Sequence, residues 1–190
     1  MNKYIDMHCH ILPEVDDGAN SLEETKEMLL KAYNEGIRYI IATPHCHPKR
    51  GIASRAELKK QLELVRQEAK LLDEKMMIFI GHEIYYGQDV PELLSQKKIL
   101  TMNGREYILV EFPPQAEESY IKQGVMRLQA RGYKVILAHA ERYEAVREHM
   151  DFVEHLCQMG TLLQVNADSI LGAHGRGVKK FVRELLEAEL

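Results

Sequence analysis

The sequence predicts an α/β protein built on parallel strands, and three observations carry that reading. Short apolar runs rich in β-branched residues recur along the chain, each followed by a loop and an amphipathic helical stretch. That strand, loop, helix unit returns six times. Five of the six strands end in a His or Glu: His8 with His10, His45, Glu83, Glu111 and His139. Barrels and open doubly wound sheets both bind ligands at the carboxyl ends of their strands. Only a barrel gathers all of its strand ends around one pocket, so a barrel accounts for more of these residues.

The first strand covers Lys3 to Met7 and runs into His8-Cys9-His10, followed by Asp16-Asp17-Gly18. Side chains alternate faces along a strand, so His8 and His10 point one way and Cys9 the other. Imidazole nitrogens with a nearby carboxylate suit zinc, iron or manganese, although the H-x-H alone also reads as two exposed histidines near a terminus. Ser21 with Glu24 forms a capping box for a helix carrying Leu22, Met28, Leu29 and Ala32, which stops at Gly36. Ile37 to Ala42 is a strand apolar but for Arg38, and it ends in Thr43-Pro44-His45-Cys46-His47. A second box, Ser54 with Glu57, opens a helix with Leu58, Leu62, Val65, Ala69 and Leu72 at helical spacing. Met76 to Ile80 is the third strand and ends in Gly81-His82-Glu83.

Asp89 to Ser95 suits a short helix, and Asn103-Gly104 is a tight-turn pair before the strand Tyr107 to Val110, which ends in Glu111. A helix from Ser119 to Arg131 is closed by Gly132, and the strand Lys134 to Ala138 ends in His139-Ala140-Glu141-Arg142. One helical stretch covers Tyr143 to Met159. A sixth strand, Thr161 to Asn166, leads to Asp168, to a loop with Gly172, Gly175 and Gly177, and to a last helix from Val178.

The 190 residues, 45% hydrophobic and 28% charged, fit one globular domain with a sizeable core. A net charge of −4 with no basic stripe gives nucleic acid no electrostatic foothold. The apolar runs are strand-length and no signal-peptide core opens the chain, so no membrane insertion is expected. Three cysteines without framework spacing fit a reducing, cytoplasmic setting.

Any one His or Glu beside a helix is ordinarily just solvated. The recurrence of two ligand types at one topological position in successive units instead points to a shared metal site. His47 and His82 adjoin candidate ligands, but alternation turns His82 away from the Glu83 side; His149 and His155 fall on solvated helix faces, and His174 in its glycine-rich loop stays unplaced. His45-Cys46 invites comparison with cysteine phosphatases, but the H-C-x5-R spacing fails because Ile52 stands where the Arg is needed. Cys46 therefore reads as a packing residue. No phosphate-cradling G-x-x-x-x-G-K loop or G-x-S-x-G elbow is present. Arg142 either binds phosphate oxygens bidentately or pairs at the surface with Glu141 or Glu144. Lys49 and Arg50 are further candidates for steering an anion.

The run His8-Cys9-His10-Ile11-Leu12-Pro13 through Asp16-Asp17-Gly18-Ala19 resembles the polymerase and histidinol phosphatase (PHP) superfamily. More narrowly, it resembles the bacterial manganese-dependent protein-tyrosine phosphatases of capsule and exopolysaccharide clusters. Ala42-Thr43-Pro44-His45, Gly81-His82-Glu83-Ile84-Tyr85, Val110-Glu111-Phe112-Pro113 and Ala138-His139-Ala140-Glu141-Arg142-Tyr143 continue the resemblance in order, as does Gln164-Val165-Asn166-Ala167 with Ser169 and Gly172.

That resemblance implies a distorted, TIM-like (β/α)7 barrel with up to three metal ions, manganese foremost, with iron or zinc as alternatives. It implies that His8, His10 and Glu83 hold one metal, that Glu83 bridges to a second held with Glu111 and His139, and that Asp17 and His45 hold a third. Catalytic roles fall on Arg142, His139 and Glu83, with Arg142 contacting the substrate phosphate. The implied reaction is hydrolysis of protein phosphotyrosine, on the tail of a bacterial tyrosine kinase. A small-molecule phosphatase such as histidinol phosphatase, or a silent metal-binding module, are the alternatives. The family's seventh strand ends in Asp-x-His, and this sequence ends at Leu190 in the helix before it. The expectation is thus a single PHP domain over 1–190, truncated or completed by a partner chain, with fewer than three metals.

Overall fold

The computed structural model describes residues 3–48 and 51–190, so Lys49 and Arg50 lie outside the described residues. The chain forms two compact units: residues up to Ile84 with Glu92–Arg105, and Tyr85–Pro91 with Glu106–Leu190.

The first unit opens with β1 (Tyr4–Cys9), α1 (Leu22–Asn34) and β2 (Ile37–Ala42). It continues with β3 (His45–Cys46), α2 (Arg55–Leu72), β4 (Met77–Ile80) and the first two residues of β5 (Glu83–Tyr85). β2 is the central strand of a parallel β1-β2-β4 sheet, with Ile40 beside both Asp6 and Ile78. A central strand has neighbours on both edges and helices over its face, which is why its sequence is almost wholly apolar. Both helices take the serine cap the sequence predicts, without the reciprocal glutamate bond of a full box among the described residues: Ser21 Oγ and Ser54 Oγ each accept the amide three residues on, at 3.2 Å. The Glu24 carboxylate reaches past Ser21 to the amide of Asn20 at 2.7 Å. Leu29 of α1 and Leu58, Leu62, Val65 and Ala69 of α2 pack on Ile40 and Ile78, with Ile11 and Leu12 closing the cluster. Each large aliphatic buried there contributes about 1.5–3 kcal/mol, which fixes the sheet that presents the strand ends. β3 and β5 also pair in parallel, with His45 opposite Glu83. At two and three residues, they are too short to show alternation in the sequence.

A short helix, α3 (Val90–Ser95), is followed by a turn at Met102–Gly104 in which Asn103 has φ 51°. The second unit then adds β6 (Tyr107–Glu111), α4 (Glu118–Gln129), β7 (Lys134–Leu137), α5 (Glu144–Arg147), α6 (Met150–Gln158), β8 (Leu162–Leu163), α7 (Ala167–Leu171) and α8 (Arg176–Glu187). β7 is central, with Leu109 and Leu162 on either side of Ile136, all parallel. Gly124 lets α4 lie on an aromatic cluster, since a Cβ there would sit 2.6 Å from Phe112 and 2.9 Å from Tyr86.

Parallel α/β architecture is as the sequence predicts, with three local differences. The helix expected over Tyr143 to Met159 is two helices, because His149 leaves the helical region at φ −131°, ψ 83°. Arg147 Nη1 donates to the Glu141 carbonyl at 2.9 Å, tying α5 to the turn after β7 instead of to the axis of α6. The strand expected over Thr161 to Asn166 is regular only at Leu162–Leu163, because the Asn166 amide goes to the Glu141 carboxylate at 2.9 Å in place of a strand partner. His155 is half-buried with an enclosed Nε2, not solvated. No helix among the described residues is long and apolar enough to cross a membrane.

Candidate metal centre

In the first unit the carboxyl ends of three parallel strands deliver His8 and His10, His45, and Glu83. The end of β1 is fastened to the residue after β2: the Cys9 amide donates to Thr43 Oγ1 at 3.0 Å, and the Thr43 amide to the Cys9 carbonyl at 2.9 Å. The Gly81 amide donates to the Ala42 carbonyl at 2.9 Å, bringing Glu83 alongside.

Three imidazoles converge on one oxygen of Glu83, a fully buried carboxylate. Its Oε2 lies 3.2 Å from His8 Nε2, 3.1 Å from His10 Nε2 and 3.0 Å from His45 Nδ1. The two Nε2 atoms of His8 and His10 are 3.2 Å apart. Ligand bonds of about 2.0–2.2 Å to one cation place neighbouring donors about 3.0–3.4 Å from each other. The donor types and their spacing therefore fit a divalent metal. His10, Asp17 and His45 form a second group whose ligand atoms lie within 4.8 Å of one another, with Asp17 Oδ1 3.3 Å from His45 Nε2.

Asp16 orients this cage. Its Oδ2 accepts from His10 Nδ1 at 2.7 Å and from the His45 amide at 2.8 Å, while Oδ1 accepts the Gly18 amide at 3.1 Å. Gly18 is needed because a Cβ would fall 2.2 Å from the His10 carbonyl oxygen. Burial works against charging His10, yet hydrogen bonds to Asp16 and Glu83 overcome it and raise its pKa to about 10. The hydrogen bond to Glu83 likewise raises His45, against its burial. Burial opposes ionisation of Asp16, but its bond to His10 wins and lowers its pKa. Positive charge is thus drawn into the cage. The structure turns Cys9 and His82 away from the cage chemistry, as the sequence predicts. Burial pushes the Cys9 thiol up. It pushes His82 down to about 4, and His82 Nδ1 accepts the Leu100 amide at 3.0 Å. Cys46 is fully buried.

In the second unit, Glu111 and His139 follow the same ends of the adjacent strands β6 and β7, where the Ala138 amide donates to the Val110 carbonyl at 2.9 Å. His139 is buried and adopts the left-handed conformation, φ 50° and ψ 45°. For a residue with a Cβ this costs about 1–3 kcal/mol and marks functional turns. Its backbone amide donates to Gln164 Oε1 at 2.9 Å and its Nδ1 lies 3.0 Å from Asn166 Oδ1. Glu141 is fully buried, and its Oε1 accepts Ser169 Oγ at 2.7 Å as well as the Asn166 amide. Arg142 is exposed, and among the described residues no ion pair joins it to Glu141 or Glu144. His149 and His174 lie beside carboxylates, Glu118 at 3.6 Å and Asp168 at 3.2 Å.

The sequence reading missed the supporting roles of Asp16, Glu141, Gln164 and Asn166. The doubled Asp16-Asp17 was a signal, but spacing alone cannot tell a ligand from the group that orients it.

Residues 4–190 match the family model for capsular polysaccharide synthesis, CpsB/CapC. The chain is 35% identical to the tyrosine-protein phosphatase YwqE of Bacillus subtilis (strain 168), across 98% of this chain and 73% of that protein. It is 33% identical to the tyrosine-protein phosphatase CpsB of Streptococcus pneumoniae, across 98% of this chain and 79% of that one. A chain from the crystal structures of YwqE and CpsB, described there as metal-dependent tyrosine phosphatases, superposes with a TM-score of 0.88 at 34% identity, covering 97% of this chain and 75% of its own. With a match running over nearly its whole length, the chain belongs to the CpsB/CapC family.

Proposed function

We propose that this chain is a metal-dependent phosphomonoesterase that hydrolyses phosphotyrosine on proteins. The observation that carries the reading is the convergence of His8, His10 and His45 on the buried Glu83 carboxylate, in a chain whose relatives are named tyrosine-protein phosphatases. Manganese is the metal we assign, ahead of iron or zinc. His8, His10, Asp17, His45 and Glu83 would be ligands, with Glu111 and His139 added on the match of their strand-end motifs, for up to three ions. The reading includes the distorted seven-stranded barrel and single domain of the PHP superfamily. It also includes a cytoplasmic setting and, as substrate, the tail of a tyrosine kinase acting in capsule or exopolysaccharide synthesis.

When bound, divalent metals supply hydroxide near neutral pH and neutralise phosphate charge. The chain's own residues do the remaining work. Arg142 offers a planar, unpaired guanidinium for equatorial phosphate oxygens, where charge builds as the bond to the leaving oxygen lengthens. Asp16 keeps His10 turned so that Nε2, not Nδ1, faces Glu83. The thiols of Cys46 and Cys9 are unsuited to attack, one fully buried and the other held protonated by burial, so no covalent enzyme intermediate is required. A tyrosine phenolate, with a pKa of about 10, leaves without a dedicated acid.

The test is elemental analysis of the purified chain together with hydrolysis of a phosphotyrosine peptide and of histidinol phosphate in added manganese. Bound metal with preference for the peptide is expected. Preference for histidinol phosphate would overturn the substrate, and metal-free protein inert after reconstitution would overturn the activity.

A further inference from the structure

We infer that Asn166 is a positioning residue that fixes the tautomer of His139, placing the proton on Nδ1 and presenting Nε2 as the basic nitrogen. Gln164 and Glu141 hold Asn166 in that role. The part of this inference that concerns metal rests on the reading of His139 as a ligand. The part that concerns the ring does not.

The hydrogen-bond directions follow from a group with only one possible role. The backbone N–H of His139 can only donate, and it points at Gln164 at 2.9 Å, so the Gln164 atom receiving it is the carbonyl Oε1. That choice makes the other end of the Gln164 amide the donor NH2, which lies 3.1 Å from Asn166 and so requires Oδ1 there. An Asn166 oxygen 3.0 Å from His139 Nδ1 requires Nδ1 to carry the proton. In the neutral ring the remaining nitrogen, Nε2, is then the one with a lone pair, the form a divalent metal binds.

Asn166 cannot drift from this position. Its backbone amide donates to the buried Glu141 Oε1 at 2.9 Å, an oxygen also receiving Ser169 Oγ at 2.7 Å. The Ala140 amide donates to the Gln164 carbonyl at 2.9 Å, so Gln164 clamps both sides of the left-handed turn at His139. A purely packing role for these residues would not require two amides and a carboxylate in matched donor and acceptor order.

The experiment reads the ring directly. Long-range proton–nitrogen spectra of the full chain, stripped of metal, report which imidazole nitrogen is protonated, with the His139 signal assigned by its loss in His139→Gln. The Nδ1–H form is expected in the unaltered protein, retained in Asn166→Asp and lost in Asn166→Leu. Manganese affinity by calorimetry should fall about 10–100-fold in Asn166→Leu and stay within about threefold in Asn166→Asp. An Nε2–H ring in the unaltered protein overturns the inference, even if Asn166→Leu does not fold. So does an Asn166→Leu variant that keeps both the tautomer and the affinity, or an Asn166→Asp variant that loses both. Failure of the unaltered protein to bind manganese or turn over phosphotyrosine would instead overturn the proposed function, leaving the spectrum to decide the tautomer.

Discussion

The ligand-type side chains of the two units are held in place by different means. In the first unit they hold one another: three imidazoles share one buried carboxylate oxygen, and Asp16 steadies His10 from outside. In the second unit His139 is held by neutral amides on a strained backbone turn, and Glu141 receives Asn166 and Ser169 through Oε1. The first arrangement is satisfied only when positive charge sits among its donors, because neutral imidazoles offer too few protons to fill it. In the second, the donors and acceptors around the His139 turn are matched by Gln164 and Asn166.

Breaking the first arrangement at its centre should have the largest effect. Glu83→Ala removes the anion on which three histidines converge, and phosphotyrosine-peptide kcat/KM should fall by about a thousandfold or more, or about 4 kcal/mol. Elemental analysis should show metal lost in parallel, and a variant that kept both metal and turnover would mean that the convergence has another purpose. Arg142→Ala probes the turn after β7 from the other side. Losing charge-assisted bonds of about 1.5–3 kcal/mol should lower kcat/KM about 10–100-fold with metal content unchanged, so metal loss would contradict a role confined to phosphate.

Gly18→Ala disturbs the first cage without touching a charge. The added Cβ would meet the His10 carbonyl oxygen and Cβ at 2.2 and 2.4 Å, and both belong to or adjoin the backbone and cannot swing away. Overpacking of this kind costs about 1–3 kcal/mol, which thermal unfolding should register. Manganese affinity should fall with it, since the loop carrying Asp16 and Asp17 must shift. Unchanged affinity in a destabilised protein would separate that loop from metal binding.

The sequence carried what is written locally. The apolar run of β2, the two serine N-caps and the His and Glu residues that end strands each depend on neighbours a few positions away, and they stand where periodicity and spacing put them. The unread parts depend on partners distant in the chain. β3 and β5 exist because His45 and Glu83 meet across 37 intervening positions. The helix breaks at His149 while Arg147 reaches back to Glu141, and the expected sixth strand gives up its last residues because the Asn166 amide is claimed by that same glutamate. Nothing in the spacing of Asp16 and Asp17 shows that the first would turn inward to His10 and the second stay at the surface near His45.

The smallest effect should come from withdrawing the metal, and it separates the two arrangements most cleanly. The amides of Gly18 and His45 are held by Asp16, whose place depends on His10 and therefore on charge within the cage. With a chelator their hydrogen exchange should quicken up to about tenfold, equivalent to about 1.4 kcal/mol of local stability. The amides of His139 and Asn166 are held by Gln164 and Glu141, which need no cation, and their exchange should change by less than about twofold. Equal quickening in both sets would mean that the network around His139 also takes its shape from metal. Silence in both would mean that proton sharing alone is enough to keep the first cage closed.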